Sequence, residues 1–304
     1  MDSVTPIDLH WDGQAHCVAS ALLRSGDHYS LIDPGPASTL PALRESLSGF
    51  GLSLQNLDAI FLTHIHLDHA GATGAIVREN PRLPVYVHKV GAPHVIDPSK
   101  LLASAGRLWS GDMHRLFGET LPVPTQNLRV IDGGESFTAG SRQIDVAYTP
   151  GHASHHVAFF DQSEGIAFVG DTAGVRIANR SYIMPATPPP EADLALWDRS
   201  LTNILERKPD KLFLTHFGFA ENPVEHIEVF RERLYAWNSR VENLLGDNQD
   251  DSKAQTAFIA AVRQEISEHV PSEEVEHYAF AAGVNFSFLG LARHIRAKAR
   301  KQEH

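Results

Sequence analysis

The sequence has little of several features, and each shortage excludes a class of protein. Cys17 is the only cysteine in 304 residues, which excludes an intrachain disulfide and a metal site built from several thiolates. No apolar run is long enough to cross a membrane. The first residues contain neither a basic segment nor an apolar one, unlike a secretory signal peptide. These features predict a cytoplasmic protein that does not bind membranes.

Basic residues are also fewer than acidic ones. Lys and Arg together number 26 against 37 Asp and Glu, which gives a formal net charge of −11. Because nucleic-acid binding depends on basic surfaces that neutralise phosphates, this balance predicts that nucleic acid is not a partner. The hydrophobic content of 42% is ordinary for a globular protein. The expected partner is therefore a small-molecule substrate.

Histidine, in contrast, is abundant, and it is concentrated in one segment. That segment is Thr63-His64-Ile65-His66-Leu67-Asp68-His69. It follows the apolar run 59–62, which predicts a strand, and precedes a predicted helix. An extended backbone points alternate side chains the same way, so His64 and His66 can bind one metal ion while Asp68 and His69 face a second. Imidazole and carboxylate ligands suit zinc, and also iron, manganese or nickel.

Three later predicted strands also end in possible metal ligands. The strand at 143–148 runs into His152, the strand at 165–171 ends in Asp171, and the strand at 211–216 ends in His216. Predicted helices alternate with these strands. This order predicts a layered α/β fold rather than an all-β one.

The segment 91–127 differs from its surroundings because it predicts one or two helices between strands. An insert of this length is typical of a lid or a binding loop. His94, Trp109, His114 and Phe117 are therefore candidates for lining a substrate pocket. For the two aromatic residues, packing of the insert onto the core is an equally good interpretation.

The order of the ligand motifs resembles the metallo-β-lactamase-fold hydrolase superfamily, in its glyoxalase II-like branch. The motifs are Thr-His-x-His-x-Asp-His at 63–69, Thr-Pro-Gly-His at 149–152, Gly-Asp-Thr at 170–172 and a strand-end His at 216. The resemblance implies an αββα sandwich with the metal site at the edge between two sheets.

The resemblance also implies how the chain is divided. A catalytic domain is expected over 1–221, with the helical insert at about 91–127. A helical extension is expected over 222–304, packed on that core and interrupted by a polar break at 246–251.

The same resemblance implies a ligand set and two divalent metal ions, zinc first, with iron or manganese as alternatives. The first ion would be held by His64, His66 and His152, the second by Asp68, His69 and His216, and Asp171 would bridge them. A hydroxide shared by the ions would attack a carbonyl carbon, and Asp68 would act as the catalytic proton acceptor. Asp33, Thr63 and His156 are expected to orient the ligands.

The implied activity is hydrolysis of a small carbonyl ester, thioester or lactone, similar to that of a hydroxyacylglutathione hydrolase or a lactonase. A bridging Asp171 favours these branches over the β-lactamases of this fold, which generally lack it. Alternatives are a mononuclear iron persulfide dioxygenase, a promiscuous lactonase or phosphodiesterase, a weak β-lactamase and a metal-binding protein without catalysis. The insert around Trp109 and the C-terminal helices also offer apolar surface for a possible homodimer.

Overall fold

The computed structural model describes residues 2–109, 111–177, 180–247 and 250–302. Within them, twelve strands form two six-stranded sheets. The strands are β1 (Ser3–Asp8), β2 (Ala19–Ser25), β3 (His28–Ile32), β4 (Ala59–Phe61), β5 (Val85–His88), β6 (Leu128–Ile131), β7 (Ser136–Ala139), β8 (Arg142–Tyr148), β9 (Val157–Asp161), β10 (Ile166–Gly170), β11 (Lys211–Leu214) and β12 (Gly218–Glu221).

Helices connect the strands and form the C-terminal part of the chain. They are α1 (Leu40–Gly49), α2 (Leu67–Ala70), α3 (Thr73–Glu79), α4 (Ala92–Ile96), α5 (Ser99–Leu108), α6 (Met113–Phe117), α7 (Leu194–Glu206), α8 (Pro223–Asp247), α9 (Asp251–Ser267), α10 (Val275–Ala281) and α11 (Val284–Gln302). No helix of the described ranges is long and apolar enough to span a membrane.

The two sheets have related topologies. The first has the order β1-β2-β3-β4-β5-β6, and the second has the order β12-β11-β10-β9-β8-β7. In the first sheet β3 to β6 run parallel, and in the second β10 and β11 do. Parallel neighbours need crossover connections, which helices and loops provide. The carboxyl ends of these strands therefore lie at one edge of each sheet.

The sheets pack face to face, and helices cover their outer faces. Phe61 of β4 contacts Phe159 of β9 across the interface, with ring centroids 5.4 Å apart. On the outer faces, α1 buries Leu43 and Leu47 and α7 buries Trp197 completely. The central strands thus bury one face in the central layer and the other under helices. The predicted αββα sandwich with a helical insert and a C-terminal helical region is confirmed.

Three strands and the detail of two helical regions were not predicted. The overlooked strands are β1, β7 and β12, all of which lie at sheet edges. Edge strands are half-exposed, so their apolar alternation is weak, and β1 also contains Pro6. The insert has three short helices rather than one or two, and the predicted helix after the histidine segment is divided between α2 and α3.

The helices α8 to α11 pack on one another, and α8 also packs on α7 and β12. The hydroxyl of Thr187 donates a hydrogen bond of 3.2 Å to the carbonyl of Ser287 and so ties the 187–190 segment to α11. Arg180 forms an ion pair with Glu274 just before α10. Of the predicted polar break at 246–251, residues 248 and 249 lie outside the described residues.

Candidate metal centre

The predicted ligands meet where strands of both sheets end. β4 ends three residues before His64, β8 precedes His152, β10 precedes Asp171 and β11 precedes His216. The short helix α2 begins directly after the histidine-rich loop and carries Asp68 and His69 in a single turn. Strand order therefore gathers ligands that are as much as 152 residues apart in the sequence.

The first ligand group contains three imidazoles. Its two closest nitrogen pairs are His64 Nε2 with His66 Nδ1 at 3.1 Å and His152 Nε2 with His66 Nδ1 at 2.9 Å. With Asp171, the three imidazoles present four ligand atoms that all lie within 4.8 Å of one another. Nitrogen and carboxylate oxygen in this number suit zinc and related divalent ions.

The second ligand group consists of Asp68, His69 and His216, whose ligand atoms also lie within 4.8 Å of one another. Asp68 Oδ2 is 3.4 Å from His216 Nε2 and 3.9 Å from His69 Nε2. The side chain of Asp68 is 21% exposed, whereas both imidazoles are buried. This group therefore has an open side, which Asp68 borders.

Asp171 lies between the groups and directs one oxygen at each. Its Oδ2 is 3.4 Å from His152 Nε2 and 4.0 Å from His64 Nε2. Its Oδ1 is 3.1 Å from His69 Nε2 and 3.6 Å from His216 Nε2. A single carboxylate therefore faces ligand atoms of both groups.

Four of the imidazoles use Nδ1 to donate a hydrogen bond away from the centre, so that each Nε2 points inward and can bind a metal ion once it is unprotonated. The acceptors are Thr63 Oγ1 for His64 (3.1 Å), Asp33 Oδ2 for His69 (2.9 Å), the Ala186 carbonyl for His152 (2.9 Å) and the Cys17 carbonyl for His216 (2.8 Å). His66 is the exception, because its Nδ1 is the atom that faces the centre.

The donor set fits divalent metal ions. His64 Nε2 and His152 Nε2 each lie about 3 Å from His66 Nδ1, and a single cation can bind all three nitrogens. Two other buried atoms that face the centre, His69 Nε2 and Asp171 Oδ1, lie 3.1 Å apart without hydrogen-bond geometry, and neither has another hydrogen-bond partner among the described residues. Because buried polar atoms are normally satisfied, these atoms indicate that the structure is organised around metal ligands.

A sequence model of the metallo-beta-lactamase superfamily matches residues 17–216, which is well over half of the chain. The chain belongs to the metallo-beta-lactamase superfamily. Members of this superfamily are mostly metal-dependent hydrolases, and the matched region contains both ligand groups described above.

Curated relatives from this superfamily are distant. A metallo-beta-lactamase fold-containing protein of Sulfurisphaera tokodaii is 30% identical over 58% of this chain and 67% of its own length. A probable metallo-hydrolase of Bacillus subtilis is 26% identical over 78% of this chain and 77% of its own length. A hydroxyacylglutathione hydrolase of Aeromonas hydrophila is 29% identical over half of this chain, and the match spans only 44% of that hydrolase.

Solved structures of metallo-beta-lactamase superfamily proteins share the fold over nearly the whole chain. One from Thermus thermophilus has a TM-score of 0.72 at 20% identity and covers 98% of this chain and 94% of its own. The archaeal protein from Sulfolobus tokodaii has a TM-score of 0.63 at 21% identity and covers 91% and 93%. At these identities the similarity concerns the fold alone.

Asp33 forms hydrogen bonds with residues in the loops that carry the candidate metal ligands. Its Oδ1 accepts a hydrogen bond from the Thr63 backbone N–H (2.8 Å), and its Oδ2 accepts from the hydroxyls of Thr63 (2.6 Å) and Thr215 (2.8 Å) and from His69. The side chain is fully buried. Because both oxygens are engaged, Asp33 orients the ligand loops rather than offering a free lone pair.

His156 supports Asp171 in a similar way. Its Nε2 accepts the backbone N–H of Asp171 at 3.3 Å, while its Nδ1 lies 2.9 Å from the hydroxyl of Thr149. The preceding Gly170 has a φ of 47°, and a Cβ there would come within 2.6 Å of His156 Nε2. The turn that presents Asp171 therefore requires glycine.

The two groups differ in protonation when no metal is bound. Burial lowers the pKa of His64 well below its ordinary value and that of His66 to about 3. Burial acts in the same direction on His69, but the carboxylates of Asp171 and Asp68 outweigh it and raise its pKa to about 10. The second group thus holds a proton that a metal ion has to displace.

A cavity of about 250 Å³ opens onto the ligand groups. Of the predicted pocket residues, Trp109, Phe117 and His94 line this cavity. His114 does not, because it lies on the exposed side of α6. Among the predicted pocket residues, His114 therefore has no support from this cavity.

Two supporting residues were not predicted as part of the site. Trp197 Nε1 donates to the carbonyl of Thr172 at 2.7 Å, and His226 Nε2 lies 2.9 Å from the carbonyl of Ala173. Both bonds hold the loop that follows Asp171. The sequence predicts Trp197 only as part of an apolar helix face, and it does not indicate His226, whose imidazole is buried beside the apolar stripe of α8.

Proposed function

We propose that this chain is a dinuclear metal-dependent hydrolase of a small carbonyl ester, thioester or lactone, with zinc as the preferred ion. The observation that supports this most strongly is the position of Asp171, whose two oxygens face separate ligand groups. A site for one ion would need only one of these groups. Both groups adjoin the same cavity, as a reaction centre requires.

Two ions bound here would lower the pKa of a water molecule towards about 7 and polarise a substrate carbonyl. His64, His66 and His152 would hold one ion, Asp68, His69 and His216 the other, and Asp171 both. Asp68 is the ligand carboxylate with exposed surface, and it can accept a proton at the mouth of the site.

The comparisons support hydrolysis of an acyl compound, since one relative of the chain is a hydroxyacylglutathione hydrolase. A second candidate is a mononuclear iron dioxygenase. It is favoured by His64, His152 and Asp171, which form a two-histidine, one-carboxylate set around one position. The complete second group counts against it, because that reaction has no use for Asp68 and His216.

Metal analysis combined with ester turnover tests the proposal. The purified protein is expected to hold about two equivalents of divalent metal and to hydrolyse a thioester or lactone. His64→Ala and Asp171→Ala should each lower kcat/KM by roughly 10³-fold, since a lost ligand removes much of the electrostatic stabilisation. His114→Ala is the matched control, because this histidine is exposed and lies outside the cavity.

The proposal would be overturned if the purified protein contained no metal. It would also be overturned if the two ligand variants turned over substrate as fast as the unmodified chain. One equivalent of iron with oxygen uptake on glutathione persulfide would favour the dioxygenase instead. A stoichiometric metal content without turnover on esters, thioesters or lactones would indicate a non-catalytic metal-binding protein.

A further inference from the structure

The cavity that ends at the ligand groups is apolar over most of its remaining wall. Three distant parts of the chain contribute its aromatic side chains. They are Trp11 from the segment after β1, Trp109 and Phe117 from the insert, and Phe280 and Phe286 from the C-terminal extension. These five residues are called the aromatic wall below.

The aromatic wall is a packed unit rather than a set of isolated rings. Trp11 lies 4.8 Å from Phe280 and 5.7 Å from Phe117 between ring centroids, and Trp109 lies 4.7 Å from Phe286. Trp11 is fully buried, and its indole N–H donates to the carbonyl of Leu116 at 2.7 Å. Such contacts hold the rings in place before any ligand binds, so little ordering is needed on binding.

The charges around the cavity indicate which substrates it accepts. Among the lining residues within the described part of the chain that are not proposed metal ligands, Lys100 is the only Lys or Arg and Glu191 the only Asp or Glu. Glu191 already accepts the backbone N–H of Ser154 at 2.7 Å. A glutathione conjugate brings two carboxylates, and one lysine cannot pair both. The cavity therefore suits an uncharged group better than a glutathionyl group.

We propose that the aromatic wall binds an apolar acyl group, so that the substrate is an ester, thioester or lactone with a phenyl ring or a chain of about six carbons beside its carbonyl. This inference rests on the proposed function. An apolar cavity of roughly 150 Å³ is large enough for benzene. A volume of about 250 Å³ thus holds such a group together with the reacting carbonyl.

A series of thioesters with one small leaving group tests this assignment on the metal-loaded protein. Acetyl, hexanoyl and phenylacetyl thioesters of N-acetylcysteamine are compared with S-lactoylglutathione. The two apolar acyl groups are expected to exceed acetyl in kcat/KM by 10-fold or more, because each methylene in a hydrophobic pocket changes kcat/KM by roughly 10-fold or more. S-lactoylglutathione should be the poorest substrate of the four.

Two variants connect this preference to the wall. Phe286→Ala and Trp109→Leu are expected to lower the ratio of phenylacetyl to acetyl kcat/KM at least fivefold; both side chains are only partly buried, which limits the cost to folding. Phe50→Ala is the matched control, since Phe50 is 54% exposed and lies outside this cavity. It should leave the ratio unchanged.

Calorimetric titration gives a readout independent of turnover. Phenylacetate should bind the metal-loaded protein with a negative heat-capacity change and at least tenfold more tightly than acetate, and Phe286→Ala should weaken phenylacetate alone. If acetyl or lactoylglutathione thioesters react as fast as the apolar ones, or the variants keep the ratio, this inference is wrong while the hydrolase stands. If no thioester, ester or lactone reacts, the proposed function is wrong, and the titration still decides whether the wall binds apolar acids.

Discussion

At the residue scale, the presentation of Asp171 depends on the absence of a side chain at Gly170. The backbone there has a positive φ of 47°, which glycine adopts freely and other residues do not. A Cβ would also lie 2.5 Å from the hydroxyl oxygen of Thr63 and 2.6 Å from His156 Nε2. A side chain at position 170 would thus strain the backbone and collide with Thr63 and His156, two residues that orient the metal ligands.

Gly170→Ala is expected to cost about 2–4 kcal/mol of unfolding free energy and to weaken metal binding, because the Asp171 turn has to shift. Gly26→Ala is the matched control. Gly26 has a φ of 60°, yet a Cβ there meets nothing within 4 Å, so only the backbone strain of roughly 1 kcal/mol remains. Urea unfolding and a chelator competition measure both effects. Equal losses of stability in the two variants would contradict the role assigned to Gly170.

At the element scale, Glu265 of α9 joins the extension to the core. Its carboxylate accepts from Arg233 at 3.1 Å and Arg240 at 2.8 Å, both on α8, and from the hydroxyl of Tyr182 at 3.0 Å. Burial acts to raise the pKa of Glu265, but Arg240 and its other partners outweigh this and hold the pKa below the ordinary 4.5. The ionised form is therefore the one that stabilises the fold.

This carboxylate is expected to make stability depend on pH. Because its folded-state pKa is depressed, the contribution is fully present above pH 4.5 and is lost as the pH falls through the folded-state value. Glu265→Gln should lose about 1–2 kcal/mol at pH 7 and progressively less below pH 4. Urea unfolding at several pH values measures this. Glu242→Gln, an exposed position on α8, is the control, and a pH-independent difference at Glu265 would contradict the interpretation.

At the scale of the whole molecule, the metal centre joins the two sheets, since ligands follow β4 in one and β8, β10 and β11 in the other. Anything that binds only the folded state stabilises it, by about 2.7 kcal/mol at a hundredfold excess over Kd. Metal binding at this junction should therefore stabilise the whole sandwich rather than one loop.

Removal of metal with a chelator is accordingly expected to lower Tm by roughly 5 °C or more. Zinc should restore the original Tm, whereas magnesium should not, because it prefers oxygen ligands and octahedral geometry. Differential scanning calorimetry of stripped and reloaded protein is the measurement. His64→Ala should show a smaller shift than the unmodified chain. An identical Tm with and without metal would indicate that the centre plays no part in stability.

Much of the site and fold follows from local patterns in the chain. Short apolar runs that end in His or Asp predict strands with ligands at their ends, and those patterns require no long-range information. His64, His152 and Asp171 lie together in the structure, and His216 Nε2 is 3.6 Å from Asp171 Oδ1. The edge strands β1, β7 and β12 were missed because half-exposed strands lack a strong apolar alternation.

Other features exist only once the chain is folded. The acceptors that orient His152 and His216 are the backbone carbonyls of Ala186 and Cys17. Every residue has a backbone carbonyl, so the sequence cannot indicate which one accepts. The aromatic wall joins Trp11 to Phe286, 275 positions later, through packing that no local pattern encodes. Local patterns therefore specify the chemistry of the ligands. Tertiary packing decides their orientation and the shape of the cavity, because both depend on contacts between residues far apart in the chain.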